Sequence, residues 1–222
     1  MIVPELPFIM TLLIIKKVAP GTVPDKTLPR GRGIKPWSFY QIAILITTRN
    51  RVFFVKSNGE EPVCTVCGGK LKYRDRVPRI MRRLHGEVSH VMIERRKCQN
   101  PACGKLHRCL PSQLTRFKHF ATEVIEDTCD DIVIPEGLES PDFIESPSLR
   151  TVAGWKRWIR HNTPNINGYL RTTGYSILGF SVQFLKSGVS LLDELRKDGG
   201  GWLATVQQII YNSGGFLEPW YR

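Results

Sequence analysis

The chain has 222 residues, 41% hydrophobic and 23% charged, a balance that excludes a disordered chain and allows one medium domain or two small ones. Its net charge of +12 points to a polyanionic partner, nucleic acid first, or to an anionic membrane surface. The charge is partitioned, with +5 over residues 1–63, +11 over 64–119, −9 over 120–149 and +5 over 150–222. Such blocks suit two basic contact surfaces joined by an acidic connector, against the plainer reading of solvated faces of uneven charge.

The first sixty residues carry apolar stretches at 8–15, 42–46 and 52–55, separated by the Pro- and Gly-rich "APGTVPDKTLPRGRGIKPW". They read as short strands with a long loop, an N-terminal extension of uncertain order. The longest apolar run, "LPFIMTLLII", has ten residues, whereas a spanning helix needs about 20. Lys16 and Lys17 follow that run instead of preceding it, unlike a signal peptide. The expectation is a cytoplasmic protein without a membrane partner, where paired cysteines more often bind metal or do redox work than form disulfides.

Residues 61–111 carry the sharpest pattern. "RVPRIMRRL" and "EVSHVMIERR" mix apolar residues with arginine, and His85-Gly86 between them reads as the turn of a hairpin. Cys64-x2-Cys67 precedes this hairpin and Cys98-x4-Cys103 follows it. Two turns presenting two thiolates each can surround one tetrahedral Zn²⁺, so Cys64, Cys67, Cys98 and Cys103 are the expected ligands of a zinc ribbon. Gly68, Gly69 and Gly104 follow the pairs where tight knuckles need backbone freedom. Other readings stay open: a redox CxxC, inert or disulfide-bonded cysteines, or His107 or Cys109 in place of Cys103. Four thiolates would close the site to water, so the one zinc is expected to be structural, providing much of the folding energy of a small hairpin. Cys129 reads as a small apolar residue in a helix core.

The basic residues on or beside the hairpin expected to meet phosphates are Arg79, Arg82, Arg83, Arg95, Arg96, Lys97 and Arg108. Beyond Pro111 the pattern turns helical. "FKHFATEVIEDTCD" places Phe117, Phe120, Val124, Ile125 and Cys129 near one helical face. An acidic loop over 130–145 follows, within which a short helix near 141–145 would shorten the connection. Ser146 and Pro147 then open a helix over 148–160. Val152, Trp155 and Ile159 line one side of it, leaving Arg150, Lys156, Arg157 and Arg160 mostly elsewhere. A helix-turn-helix recognition element would place Lys156, Arg157 and Arg160 against a duplex; an amphipathic core helix with solvated charges is the bland alternative. Further helices are expected over about 166–186, 188–197 and 202–212.

The string "RRKCQNPACGKLHRCLPSQLTRFKHFATEVIED" resembles an uncharacterised bacterial family of small zinc-ribbon proteins, itself similar to the zinc-binding N-terminal part of insertion-sequence transposases. The resemblance rests on Arg95, Arg96 and Cys98, on His107, Arg108, Leu110 and Pro111, and on Phe117, Lys118, His119 and Phe120. It continues through Thr151, Trp155 and Trp158, and covers about residues 60–215. Arg116 stands where that family has a proline. What the resemblance implies is DNA binding linked to mobile elements.

The expected fold is therefore α+β: short N-terminal strands and a zinc-ribbon hairpin, then a mainly helical, helix-turn-helix-like C-terminal region. Its expected divisions are 1–60, 61–111, 112–165 and 166–222. Asp127, Asp130 and Asp131 are crowded beside the connector and do not form a two-metal arrangement, and no nucleophile set or phosphate loop stands out. A non-enzymatic, zinc-dependent DNA-binding protein is the leading expectation, with double-stranded DNA as partner. The alternatives are an RNA-binding zinc ribbon, with Tyr73, Trp155 or Trp158 stacking on bases, and an adaptor docking a transposase or polymerase through the acidic segment.

Overall fold

The computed structural model describes residues 37–41, 43–48, 52–57, 61–133, 147–177, 185, 188–197 and 199–219. The expected strand at 8–15, the N-cap at Ser146 and the short helix near 141–145 lie outside these residues.

The hairpin is the spine of the fold. Strand β4 (Leu71–Arg82) pairs antiparallel with β5 (Val88–Cys98) along its whole length. A single 3-10 turn over Leu84–Gly86 joins them, closed by the Arg83 N–H on the Glu87 carbonyl at 2.8 Å. Gly86 supplies the left-handed φ of +71° that this turn requires. The other edge of β5 is shared. Its first half takes β3 (Val52–Ser57) in parallel, and its second half takes β6 (Leu106–Pro111) antiparallel. Outside these lie β2 (Ala43–Thr48) on β3 and β1 (Trp37–Gln41) on β6. Residues of the expected N-terminal extension thus form three of the six strands in the sheet that carries the cysteine hairpin.

One face of the sheet is covered. The register aligns Val77 with Ile93, Arg79 with Val91 and Met81 with Ser89. Met81, Val91, Ile93 and Leu110 share one core with Leu114, Val124, Ile125, Trp155 and residues of the later helices. Among the described residues four helices contribute to that layer: α1 (Thr122–Cys129), α2 (Leu149–Ile177), α3 (Leu191–Lys197) and α4 (Trp202–Asn212). The Phe120 ring meets Trp155 edge-on at 5.3 Å.

Three helix boundaries differ from the sequence expectation. Phe117 to Phe120 are not helical: Phe117 sits at φ +62°, and Phe120 and Ala121 form bridges to Arg82 and Leu114. α2 starts at Leu149, with the Ser148 hydroxyl accepting the Thr151 N–H at 3.3 Å, so Ser148 supplies the cap. It then runs unbroken through Pro164 to Ile177 instead of dividing near residue 160. Pro164 and Arg160 both lie on the exposed side, where a carbonyl without its helical donor is open to water.

The C-terminal segment ties the layers together. Trp158 Nε1–H donates to the Glu218 carbonyl at 2.9 Å, and Asn162 accepts from the Glu218 N–H at 2.8 Å. At the other side Gly214 passes so close to the first cysteine turn that a Cβ there would lie 2.6 Å from the Thr65 carbonyl oxygen. Among the described residues no helix is long and apolar enough to cross a membrane.

Candidate metal centre and basic surface

Two short turns at the base of the hairpin face each other. In the first, the Gly68 N–H reaches the Cys64 carbonyl at 2.8 Å and the Cys64 N–H reaches the Gly69 carbonyl at 2.9 Å. In the second, the Asn100 carbonyl accepts from Cys103 at 3.0 Å and from Gly104 at 2.9 Å. The Gln99 N–H on the Lys70 carbonyl, 3.0 Å, fixes one turn against the other.

The thiols of Cys64, Cys67, Cys98 and Cys103 thereby converge, all four sulfurs lying within 4.8 Å of one another. Cys64 and Cys103 are 3.6 Å apart and Cys67 and Cys98 3.5 Å, far beyond a disulfide bond and near the roughly 3.8 Å edge of a tetrahedron with 2.3 Å zinc–sulfur bonds. Gly69 leaves the space this needs: a Cβ there would come within 3.3 Å of both Cys67 and Cys98 sulfurs. The donor set is four soft thiolates in two knuckles, and it fits a single structural Zn²⁺ with no open position.

His107 and Cys109, the alternatives to Cys103, lie differently. His107 is fully buried on β6, and its Nε2 is 3.2 Å from Cys64 Sγ, so it addresses a ligand sulfur instead of joining the four. Burial pushes its pKa down to about 4, which keeps the ring neutral, with an N–H available to donate to the thiolate. Such donors steady a metal-bound ligand and set its orientation. Cys109 is buried in the sheet, and burial raises its thiol to about 12. Cys64 is likewise raised to about 12 by burial, whereas the Gly69 N–H lowers exposed Cys67 to about 7. The bond from His107 to Cys64 had no sequence signal beyond the "LHRC" string, because it joins residues 43 positions apart.

The arginines singled out in the sequence divide by their partners. Arg79 turns towards the helices and donates to the Thr115 and Lys118 carbonyls at 2.7 Å each. Arg83 is shared between Glu123 at 3.2 Å and Glu87 at 3.3 Å. Arg95 forms a two-toothed pair with Asp75, and this bond holds the Asp75 carboxyl below its ordinary range. Arg96 lies on Glu94 at 2.8 Å, and Lys156 pairs with Asp131. Arg82 is half-buried where β4 meets residues 119–121, its backbone bonded to His119 and Ala121. Arg108 is half-buried on β6, its Nε enclosed without a hydrogen-bond partner among the described residues.

The cations open to solvent are in part those expected, Lys97, Arg157 and Arg160, and in part others. Lys70, Lys72, Lys97 and Lys105 all surround the cysteine turns and are exposed. Lys72 and Lys97 are direct cross-strand partners. On α2, Arg150, Arg157 and Arg160 occupy the solvent side while Val152, Trp155, Trp158 and Ile159 face the core. Trp155 and Trp158 are only 4% and 3% exposed, which corrects their expected availability to bases; Tyr73, at 48%, keeps it. The exposed aromatic Phe117 had not been distinguished in the sequence, where it reads as part of a helix face.

A family model described as Domain of unknown function (DUF6431) matches residues 64–149, spanning both cysteine turns, the hairpin and α1. No curated protein and no solved structure matches the chain.

Proposed function

We propose that the protein binds nucleic acid, double-stranded DNA foremost, through a surface folded by its zinc centre. The observation that carries this reading is the lysine cluster at the cysteine turns. Lys72 and Lys97 face each other across β4 and β5 with Lys70 and Lys105 beside the turns. Like charges directly opposed on a sheet are destabilising, and a polyanion relieves them. Phosphate contacts of this kind position a protein without reading sequence. Sequence preference is assigned to α2, whose exposed Arg157 and Arg160 sit one turn apart on a side suited to a major groove. The role proposed is binding and not catalysis, since four thiolates leave the metal no position for water. The resemblance to the zinc-binding part of insertion-sequence transposases is the ground for placing the target near mobile-element DNA.

The test is fluorescence anisotropy of labelled duplex DNA over a range of salt, with RNA of the same length as competitor. Affinity should fall linearly on a log–log plot against salt, and Lys72→Ala/Lys97→Ala should flatten that slope by about two. Arg157→Ala/Arg160→Ala should lower discrimination between sites and leave the metal centre intact. RNA outcompeting DNA would move the assignment to an RNA-binding zinc ribbon. Binding to neither at low salt would refute it in favour of a protein adaptor.

A further inference from the structure

The turn over residues 115–118 is tied to α1 and α4 through buried Thr115, whose hydroxyl meets that of Thr122 at 3.1 Å and the Gln207 side chain at 3.3 Å, yet it directs one bulky side chain outward. The Lys118 N–H closes it on the Thr115 carbonyl at 3.1 Å. Arg79 reaches across from β4 and holds the carbonyls of both end residues, at 2.7 Å each. Lys118 folds inward, its ammonium 5.0 Å from the centre of the Trp158 ring. Phe117 goes the other way. It is one of two non-glycine described residues at positive φ, +62°, and its ring is 47% exposed. A left-handed backbone is costly for a bulky residue, and here burial of the ring does not compensate. Strain of this kind, held by a clamp, is a feature of sites that present a side chain to a ligand.

Its surroundings indicate which ligand. The Arg116 guanidinium lies 4.7 Å from the Phe117 ring centre and 5.3 Å from that of Tyr211, and the Gln207 side chain accepts the Arg116 N–H at 3.4 Å.

We propose that this turn is a nucleotide platform: an unpaired base stacks on Phe117, and its phosphate is taken by Arg116 beside the ring. A planar ring beside a guanidinium fork matches a base with its phosphate, and stacking on an aromatic ring needs no particular base. The inference rests on the nucleic-acid reading above and narrows it to DNA carrying an unpaired nucleotide, as at an end or a junction.

The experiment compares a blunt duplex with one of equal paired length bearing a single-stranded overhang that contains 2-aminopurine, using the full zinc-loaded chain. The overhang should bind about 5- to 150-fold more tightly, the usual worth of one base–aromatic stack, and 2-aminopurine fluorescence should be quenched. Phe117→Asn removes the ring while keeping a residue that accepts left-handed backbone, so the fold is retained. It should lose both the preference and the quenching but bind the blunt duplex as the parent does. Phe117→Tyr should retain both, and Arg116→Gln should weaken overhang binding more than blunt binding. Equal binding of the two duplexes by the parent, or undiminished quenching by Phe117→Asn, overturns this inference and leaves DNA binding standing. Binding to neither duplex overturns both.

Discussion

Glu126 offers a stability test whose size follows from the geometry. It lies on α1 but serves α4: one carboxylate oxygen accepts the Gly201 N–H at 2.9 Å, and the other accepts the N–H groups of Leu203 and, at 3.2 Å, Ala204. These are donors that the first turn of a helix cannot satisfy internally, and Gly201, the N-cap, has no side chain to serve them. Glu126→Ala removes an N-cap interaction of about 1–2 kcal/mol. It also strands the buried Leu203 N–H, at a further cost of about 1–3 kcal/mol. Relief from burying a carboxylate offsets part of this, because Glu126 is buried and burial raises its pKa above the ordinary value. The expected net loss is about 2–3 kcal/mol, read by circular dichroism of the zinc-saturated protein as a Tm lower by about 4–12 °C. Glu126→Gln keeps one acceptor and should lose about half as much. The sign with pH is fixed by the raised folded-state pKa: the parent gains relative stability as pH falls through the carboxylate range, so the deficit of Glu126→Gln widens there. A Tm change below about 2 °C in Glu126→Ala would refute the capping account.

Three further outcomes concern the metal centre. His107→Phe should weaken zinc affinity by about 10–100-fold, measured against a competing chelator, since it removes the donor to Cys64. Gly69→Ala should also weaken it, because the added methyl meets two ligand sulfurs; a parent-like affinity would show the cluster to be looser than the distances state. Zinc affinity should rise with pH near neutrality by at least about two log units per pH unit, since burial keeps Cys64 and Cys98 protonated in the metal-free chain and both must give up a proton to bind.

Much of the metal centre was legible because ligand chemistry is local. CxxC and CxxxxC with following glycines imply knuckles, and about thirty residues between them suit an out-and-back hairpin. α1 and α4 were legible from apolar spacing alone. Long-range pairing was not. The division of β5's edge between β3 and β6 cannot be read from either strand, and β6 contains a cysteine, an arginine and a proline that do not spell a strand. Arginines that looked like phosphate contacts are held by Asp75, Glu94, Glu123 and backbone carbonyls up to 40 positions away. The helices expected over 148–160 and from about 166 are one, and Pro164 is accommodated inside it because on the solvent side of α2 the lost donor is tolerated. Phe117 fitted a helical stripe, and nothing local to it announced the clamp that Arg79 supplies on Thr115, 36 residues away in sequence.

The most direct test of the account is the zinc content of the purified, reduced protein, with Cys98→Ser/Cys103→Ser measured alongside. The account predicts about one zinc per chain, lost in the variant together with the ordered hairpin and DNA binding. A folded, reduced parent that binds DNA with no metal would contradict it.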